Sequence, residues 1–169
     1  DSFDYKKDAE DMMELEEEII DQFDLISTPS FYITKRLLKL KENINIVTHY
    51  HGINKKLFQK YYDNPYLRYD EKCIHFIFVG AGRLDYDFLD MASYLSDNYI
   101  FHIIGPLKKS IERKNIIYYG EMEFNETIPY LTHANIGLQT LINVPHVEVF
   151  ERTLKYTQYS FVKIPIVSP

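Results

Sequence analysis

The stretch FERTLKYTQYSF at 150–161 carries the side chains of this sequence that are best suited to binding chemistry. Its pattern predicts a helix on which Lys155 and Gln158, three residues apart, share one face, with Thr153 near the start. A lysine that reaches a diphosphate, steadied by a neighbouring hydroxyl or amide, needs this kind of arrangement. Lone basic residues on helices are more often solvated, so this helix taken alone leaves both interpretations open.

A glycine-rich segment, FVGAGRLDYDF at 78–88, runs from a strand pattern into a helical one. In a parallel α/β sheet such a junction lies at the carboxyl edge, where ligands bind, and glycine lets backbone N–H groups approach a phosphate. Gly80 and Gly82 supply only G-x-G, and Asp85 stands where the dinucleotide fingerprint requires a third glycine, so the sequence argues against an NAD site. Arg83 favours an anionic ligand, and a tight βα turn without a ligand is the alternative.

Two pairs of residues have types that also bind metals. Asp85 and Asp87 resemble a D-x-D motif that holds a divalent metal on a diphosphate, but carboxylates at the start of a helix more often cap free N–H groups. We therefore predict helix capping at this position. His49 and His51 have a spacing that could place both rings on one side of a strand, yet no third ligand is in sight. We predict no metal site there.

The segment IIYYGEMEFNETIPYLTHANIGLQT at 116–140 presents a carboxylate directly after a predicted buried strand. The strand ends at Gly120, Glu121 and Met122 lie on a loop, and Asn125 is the predicted N-cap of the next helix. At the binding edge of a sheet, this carboxylate is placed to accept two hydrogen bonds from a pair of hydroxyl groups, such as those of a ribose. An exposed loop acid without a ligand is the alternative.

Two periodicities alternate along the chain and must position these side chains. Apolar, β-rich runs predict strands at 23–28, 43–49, 73–80, 99–105, 115–120, 134–140 and 164–169. Helical patterns lie between them, at 30–41, 54–62, 86–97, 125–133 and 150–161. Several of the strands are apolar on both faces. We therefore predict an α/β fold with a Rossmann-like parallel sheet and helices on both faces.

Composition and charge indicate a soluble globular chain. Its 169 residues are 46% hydrophobic, enough for a sizeable core. Residues 1–24 carry eleven acidic side chains and two lysines, a net charge of −9, so the remainder carries +3 of the total of −6. The apolar spacing in this acidic segment predicts a solvated amphipathic helix rather than an interaction tail.

There is no signal-peptide pattern and no apolar window near the roughly 20 residues of a membrane span. The lone Cys73 excludes an internal disulfide, which suits a reducing cytosol.

A domain boundary is predicted at 63–72. The polar segment DNPYLRYDEK there follows a helix and precedes the strongest strand pattern of the chain. The prediction assigns 1–63 to the end of one domain with linker helices, and 73–169 to a second α/β domain.

Three motifs, taken in order, resemble the donor-binding half of a GT-B glycosyltransferase: VGAG, YYGEMEFNETIPYLTHANIGL and LKYTQYSFVKIPIVSP. The last motif matches the xanthan-type glucuronosyltransferase group, glycosyltransferase family 70, whose helix reads K-x-x-Q-Y, as Lys155, Gln158 and Tyr159 do here. Two upstream segments, FDLISTPSFYITKRL and NINIVTHYHGINKKLF, resemble the end of that family's amino-terminal, acceptor-binding domain. The likeness therefore covers most of the chain.

The resemblance implies a role for each matching side chain. Glu121 would hold the ribose, on a loop from Gly120 to Met122 that borders the uracil. Thr153, Lys155 and Gln158 on the helix would meet the diphosphate and the sugar. Gly82 and Arg83 would face the diphosphate from the opposite loop. The charge of the leaving diphosphate would be stabilised by Lys155 and backbone N–H groups, because this type of enzyme binds no metal or other cofactor.

The resemblance further implies transfer of a sugar, such as glucuronate, from a UDP-sugar to a polysaccharide or lipid-linked acceptor. The general base would belong to the amino-terminal domain, so the catalytic residue stays unknown. We expect a fragment, truncated at its carboxyl end, that binds UDP but transfers no sugar.

The full-length enzyme is expected in the cytoplasm, with peripheral association at the inner face of the membrane and no nucleic acid partner. Two alternatives stay open. One is a nucleotide-sugar epimerase of the same architecture, and the other is a non-catalytic Rossmann-like binding module.

Overall fold

The computed structural model describes residues 5–140 and 152–168. Within them the chain divides into two compact units, the first covering 5–51 and the second covering 52–140 together with 152–168. No helix among the described residues combines the length and the apolar character needed to cross a membrane.

The first unit pairs two short parallel strands with two helices. Helix α1 (Tyr5–Ile19) continues into a 3₁₀ turn (Ile20–Gln22), followed by β1 (Ile26–Thr28), α2 (Phe31–Leu40) and β2 (Ile46–Thr48). Arg36 donates two hydrogen bonds to the Glu16 carboxylate, at 2.5 and 2.9 Å, which ties α2 to α1. The amphipathic helix predicted for the acidic segment is thus present as α1.

Hydroxyl groups join α2 to both strands of this unit. Thr34 Oγ1 on α2 lies 2.5 Å from Thr28 Oγ1 and 2.6 Å from Thr48 Oγ1. Ser30 begins the helix, because its hydroxyl accepts the Tyr32 N–H at 3.2 Å.

The second unit contains a five-stranded, fully parallel sheet in the order β5-β4-β3-β6-β7. Its strands are β3 (Ile74–Val79), β4 (Tyr99–Ile104), β5 (Ile116–Gly120), β6 (Ile136–Leu138) and β7 (Ile166–Val167). Its helices are α3 (Lys55–Phe58), α4 (Tyr86–Ser93), α5 (Phe124–His133) and α6 (Leu154–Val162). From β3 the chain moves outward to β4 and β5, and it then continues with β6 and β7 on the other side of β3. The strand order therefore reverses between β3 and β6, and the carboxyl ends of these two strands border the crevice where ligands bind in such sheets.

Both faces of this sheet are buried, which confirms the predicted α/β arrangement. One face packs against α5 and α6 through Ile77, Ile104, Ile128, Leu131 and Tyr159. The opposite face packs against α4 through Phe78, Leu89, Phe101, Ile103 and Leu138. Alternate residues of β3 supply the two cores, because side chains of a strand point to opposite faces in turn.

The second unit begins at Gly52, before the predicted boundary at 63–72. Phe58 on α3 and Tyr66, which follows α3, are both buried in the core that includes Ile128 and Leu131 of α5. Tyr66 also donates a hydrogen bond from its hydroxyl to the Tyr130 carbonyl oxygen at 2.9 Å. These long-range contacts attach the segment to the second unit, and a polar composition alone does not disclose them.

Two local predictions concern helix starts. Asp85 caps α4, because its carboxylate accepts the Phe88 N–H at 2.9 Å, and this prediction is confirmed. The predicted N-cap at Asn125 is wrong, since α5 is capped at Glu123 and Asn125 lies inside the helix. Glu126 reaches back to accept the Glu123 N–H at 3.2 Å, so a capping box starts the helix two residues earlier.

Candidate functional site

A cavity of about 300 Å³ opens at the carboxyl edge of the sheet, beside the point where the strand order reverses. It gathers the end of β3, the start of α5 and the start of α6. Its lining residues are Val79, Gly80, Phe124, Thr153, Leu154, Lys155 and Gln158. Three of the predicted site residues, Thr153, Lys155 and Gln158, thus lie together on one cavity wall.

Helix α6 is anchored to the two strands that border this crevice. The buried Tyr159 hydroxyl lies 3.1 Å from the Ile77 carbonyl oxygen on β3 and 3.3 Å from the Leu138 carbonyl oxygen on β6. Gly137 makes room for the ring, because a Cβ atom at this position would lie 2.5 Å from Tyr159 Cδ2. The close approach of helix and strand places the first turn of α6 at the sheet edge.

Lys155 occupies a desolvated position in this first turn. Its Nζ lies 3.9 Å from the centroid of the Phe78 ring, and a Cβ atom added to Gly80 would approach Nζ to 3.1 Å. Burial lowers the pKa of Lys155 to about 8. Among the described residues no carboxylate forms an ion pair with it. A half-buried cation without a carboxylate partner in the described chain is typical of sites that bind anionic ligands.

Gln158 is the second polar group on this wall, one turn further along α6. The residue is 3% exposed, and its side-chain amide forms no hydrogen bond with any described residue. Gln158 lines the cavity, so its amide is accessible from that side. The amide can donate to or accept from a ligand in the cavity.

Thr153 starts the helix and also contacts β6. Its hydroxyl oxygen accepts the Tyr156 N–H at 3.2 Å and donates to Gln139 Oε1 at 3.3 Å. The first turn of α6 directs its free backbone N–H groups toward the cavity end of the helix, where the helix dipole favours negative charge.

The glycine-rich loop after β3 lies beside β4 and β6. Gly80 N–H donates to the Ile104 carbonyl oxygen at 3.0 Å, and Asp85 N–H donates to the Thr140 carbonyl oxygen at 3.2 Å. Arg83 has a left-handed backbone with φ of 58°, an uncommon conformation for a residue with a Cβ atom. Gly82 and Arg83 are not among the residues that line the cavity.

The predicted ribose-binding loop follows β5, two strands away from β3. Gly120 ends the strand with φ of +77°, Glu121 is exposed, and Met122 packs against the core beneath α5. None of the three lines the cavity, although Phe124, which begins α5 from the same loop, does.

Two buried polar residues at the end of β6 were missed by sequence reasoning. Gln139 and Thr140 are both less than a tenth exposed, and Thr140 Oγ1 has no hydrogen-bond partner within the part of the chain that the structure describes. The sequence does contain a signal for them, because Gln139 and Thr140 directly follow the strand pattern ANIGL, and residues after a strand lie at the binding edge of a parallel sheet. The same edge includes no group of three or more described His, Cys, Asp or Glu residues that could hold a metal ion.

Comparison with known proteins relates the chain by sequence to a glucuronosyltransferase. No family model matches the chain. Over 123 residues it is 32% identical to UDP-glucuronate:glycolipid 2-beta-glucuronosyltransferase of Xanthomonas campestris pv. campestris, a match that covers 70% of this chain and 30% of that protein. The chain thus spans less than a third of the length of this relative.

Solved structures define the fold. Sucrose-phosphate synthase from Thermosynechococcus elongatus matches 94% of this chain and 44% of its own, with a TM-score of 0.69 and 15% identity. WaaG, a glycosyltransferase involved in lipopolysaccharide biosynthesis, matches 85% of this chain and 43% of its own, with a TM-score of 0.56 and 15% identity. The chain has the α/β fold of the GT-B glycosyltransferases, as predicted.

Proposed function

We propose that the protein contributes the donor-binding site of a glycosyltransferase that uses a UDP-sugar. The observation that carries the proposal is the presence in one cavity of Lys155, half-buried without a carboxylate partner in the described chain, and of the Gln158 amide, which has no hydrogen bond to a described residue. A nucleoside diphosphate sugar supplies what this wall lacks, namely phosphate oxygens for the ammonium group and hydroxyl groups for the amide. The similarity to a glucuronosyltransferase supports the same ligand class.

Lys155 would stabilise the leaving group. When the bond between sugar and diphosphate breaks, negative charge grows on the diphosphate oxygens. An ammonium group already held in a desolvated cavity, together with the N–H groups of the first turn of α6, stabilises this charge without a reorganisation of solvent. No metal is required for this step, and metal independence is part of the proposal.

The remaining assignments follow the family resemblance. Glu121 holds the ribose, Gly120 and Met122 border the base, and Gly82 and Arg83 face the diphosphate from the loop after β3. We propose glucuronate as the sugar, since its carboxylate would pair with Arg83 or Lys155. A glycan or lipid-linked acceptor, a general base supplied by an amino-terminal domain and an enzyme working at the cytoplasmic side of a membrane complete the proposal.

A titration with UDP tests the donor site. We expect binding that is detectable by calorimetry or by amide chemical shifts, and Lys155→Ala should weaken it by about 10- to 100-fold, because a charge-assisted hydrogen bond to phosphate is lost. Lys109→Ala, at an exposed position that does not line the cavity, makes the same change of charge and should leave the affinity unaltered. A folded sample that gives no response to millimolar UDP would rule the proposal out.

A further inference from the structure

Two polar residues in contact connect the sheet to the start of α6. Gln139 follows β6 directly, and its Oε1 accepts the hydrogen of the Thr153 hydroxyl at 3.3 Å. Thr153 is the N-cap of α6, and its hydroxyl oxygen accepts the Tyr156 N–H at 3.2 Å. The contact therefore joins the end of a central strand to the residue that begins the helix carrying Lys155 and Gln158.

The hydrogen bonds of Thr153 limit what it can offer a ligand. A threonine hydroxyl has one hydrogen, and here that hydrogen points to Gln139. Phosphate oxygens accept hydrogen bonds, so Thr153 in this arrangement has no hydrogen left to donate to a diphosphate. Its hydroxyl caps the helix instead, which leaves direct contact with phosphate to Lys155 and to the backbone N–H groups of the first turn.

Burial makes the orientation of Gln139 specific. The side chain is 5% exposed, and Thr140 beside it is also buried. If the buried Gln139 amide rotated, it would lose its hydrogen bond from the Thr153 hydroxyl. The same hydrogen bond restricts the rotamer of Thr153. The distance from Thr153 to Lys155 is only two residues along the chain, so a shift of the cap moves the ammonium group against Phe78 and Gly80.

We propose that Gln139 is a positioning residue of this site, which acts through the Thr153 hydroxyl to hold the first turn of α6, and with it Lys155 and Gln158, in the geometry that binds ligand. The ligand in question rests on the proposed donor-binding function. The positioning contact itself is a property of the protein without ligand, and it can be measured separately.

Amide hydrogen exchange without ligand measures the contact. In Gln139→Met, which keeps the length of the side chain but removes its acceptor, Thr153 is free to turn away, so Tyr156 N–H should exchange about 3- to 10-fold faster. Thr153→Val should produce the same increase. Unchanged protection of Tyr156 in Gln139→Met would overturn the proposal, whatever the protein binds.

Affinity for UDP measures the consequence in a double-mutant cycle. Gln139→Met and Thr153→Val should each weaken binding by about 3- to 10-fold, and the double variant should be no weaker than Thr153→Val alone, because both changes remove one contact. Additive losses would show that Gln139 acts independently of Thr153 and would overturn the positioning role. Thr157→Val on the same helix removes only a hydrogen bond to the Thr153 carbonyl oxygen and serves as the control.

The pH dependence of UDP binding separates positioning from a general loss of structure. If the first turn of α6 moves, Lys155 becomes better solvated and its pKa should rise from about 8 toward the ordinary value for lysine. The alkaline midpoint of UDP binding should therefore move upward in Gln139→Met. An unmoved midpoint together with a lower melting temperature would assign Gln139 to stability alone. Absence of UDP binding in the unaltered protein, with faster Tyr156 exchange in Gln139→Met, would refute the proposed function and leave the contact established.

Discussion

Two clusters of buried polar side chains lie in the second unit, and they differ in whether their hydrogen bonds close on each other. At the carboxyl edge, Lys155 and Gln158 face a cavity and lack polar side-chain partners among the described residues. On the face of the sheet that packs against α5, His75 and His102 belong to a cluster in which each imidazole contacts another polar group. Both clusters belong to the same five-stranded sheet unit, so the comparison shows how polar groups with and without partners in the protein differ.

The closed cluster is a chain of hydrogen bonds across three strands. His75 Nδ1 on β3 lies 2.9 Å from His102 Nε2 on β4, and His102 Nδ1 lies 2.9 Å from the Tyr119 hydroxyl on β5. Arg68 donates to the same Tyr119 oxygen at 3.4 Å. Because Arg68 donates to the Tyr119 oxygen, the Tyr119 hydroxyl donates its hydrogen to His102 Nδ1. His102 Nε2–H then donates to His75 Nδ1, and in this arrangement both rings are neutral.

Aromatic packing seals this cluster from water. The Tyr66 ring stacks on His75 with a centroid distance of 4.2 Å, and Tyr69 contacts both imidazoles edge-on. Burial lowers the pKa of His75 and takes the pKa of His102 to about 3, with the charges of His75 and Arg68 adding to the effect on His102. No carboxylate among the described residues pairs with either ring. Polar groups that hydrogen-bond to each other stabilise the fold in their neutral form, whereas polar groups without partners in the described chain are available to a ligand.

The largest expected effect is a loss of stability in acid, which arises in the closed cluster. The unfolded chain takes up a proton on each histidine near the ordinary pKa of 6.5, and the folded protein keeps His102 neutral down to about pH 3. Between these values the free energy of unfolding should fall by up to about 1.4 kcal/mol per pH unit for His102. Urea unfolding at pH 7 and pH 4.5 measures the slope.

His102→Gln, which keeps hydrogen-bonding capacity but does not titrate in this range, provides the matched comparison for the acid slope. Its slope should be smaller than that of the unaltered protein. Equal slopes in both proteins would show that the acid dependence originates elsewhere.

A smaller effect is expected in the open cluster, at alkaline pH and only in the presence of ligand. Lys155 must carry its proton to attract a diphosphate, and its pKa is about 8 in the ligand-free protein. UDP affinity should therefore be full below pH 7 and decrease above pH 8, by at most about tenfold per pH unit. Calorimetry from pH 6.5 to 9.5 checks this, and a flat profile would mean that the proton of Lys155 contributes nothing to binding.

The smallest effect directly compares one substitution in each cluster. Tyr119→Phe removes the partner of His102 Nδ1 and should lower the free energy of unfolding by about 1 kcal/mol without a change in UDP affinity. Gln158→Leu removes a polar group that has no described partner, so stability should stay within about 0.5 kcal/mol while UDP binding weakens by about 3- to 10-fold. Chemical denaturation measures the stability of both variants, and calorimetry measures their affinity for UDP. Equal changes in stability would contradict the difference between the two clusters.

Much of the fold could be predicted because the relevant signals are local. The runs CIHFIFVG and YIFHIIG are apolar on both faces, and they form the central strands β3 and β4. The cap at Asp85 follows from its place before a helical pattern. Helix α3 shows the limit, since it ends at Phe58 instead of continuing to residue 62.

The candidate site could be predicted only in part. Thr153, Lys155 and Gln158 lie within six residues, so helical spacing alone places Lys155 and Gln158 on one face. Gln139 joins them through a contact across 14 residues, and the spacing of polar residues does not indicate such a partner. The roles predicted for Gly82, Arg83, Gly120, Glu121 and Met122 stay predictions, since these residues do not line the cavity with Lys155.

The sequence by itself determined the alternation of strands and helices, the parallel α/β class and the helix face that carries Lys155 and Gln158. These properties depend on periodicity and capping, which involve residues a few positions apart. Only the tertiary structure decided that Lys155 lies against Phe78 and Gly80, that Gln139 holds Thr153, and that His75 and His102 pair across strands. Each of these contacts depends on strand order and register, and burial then shifts the pKa values of Lys155, His75 and His102.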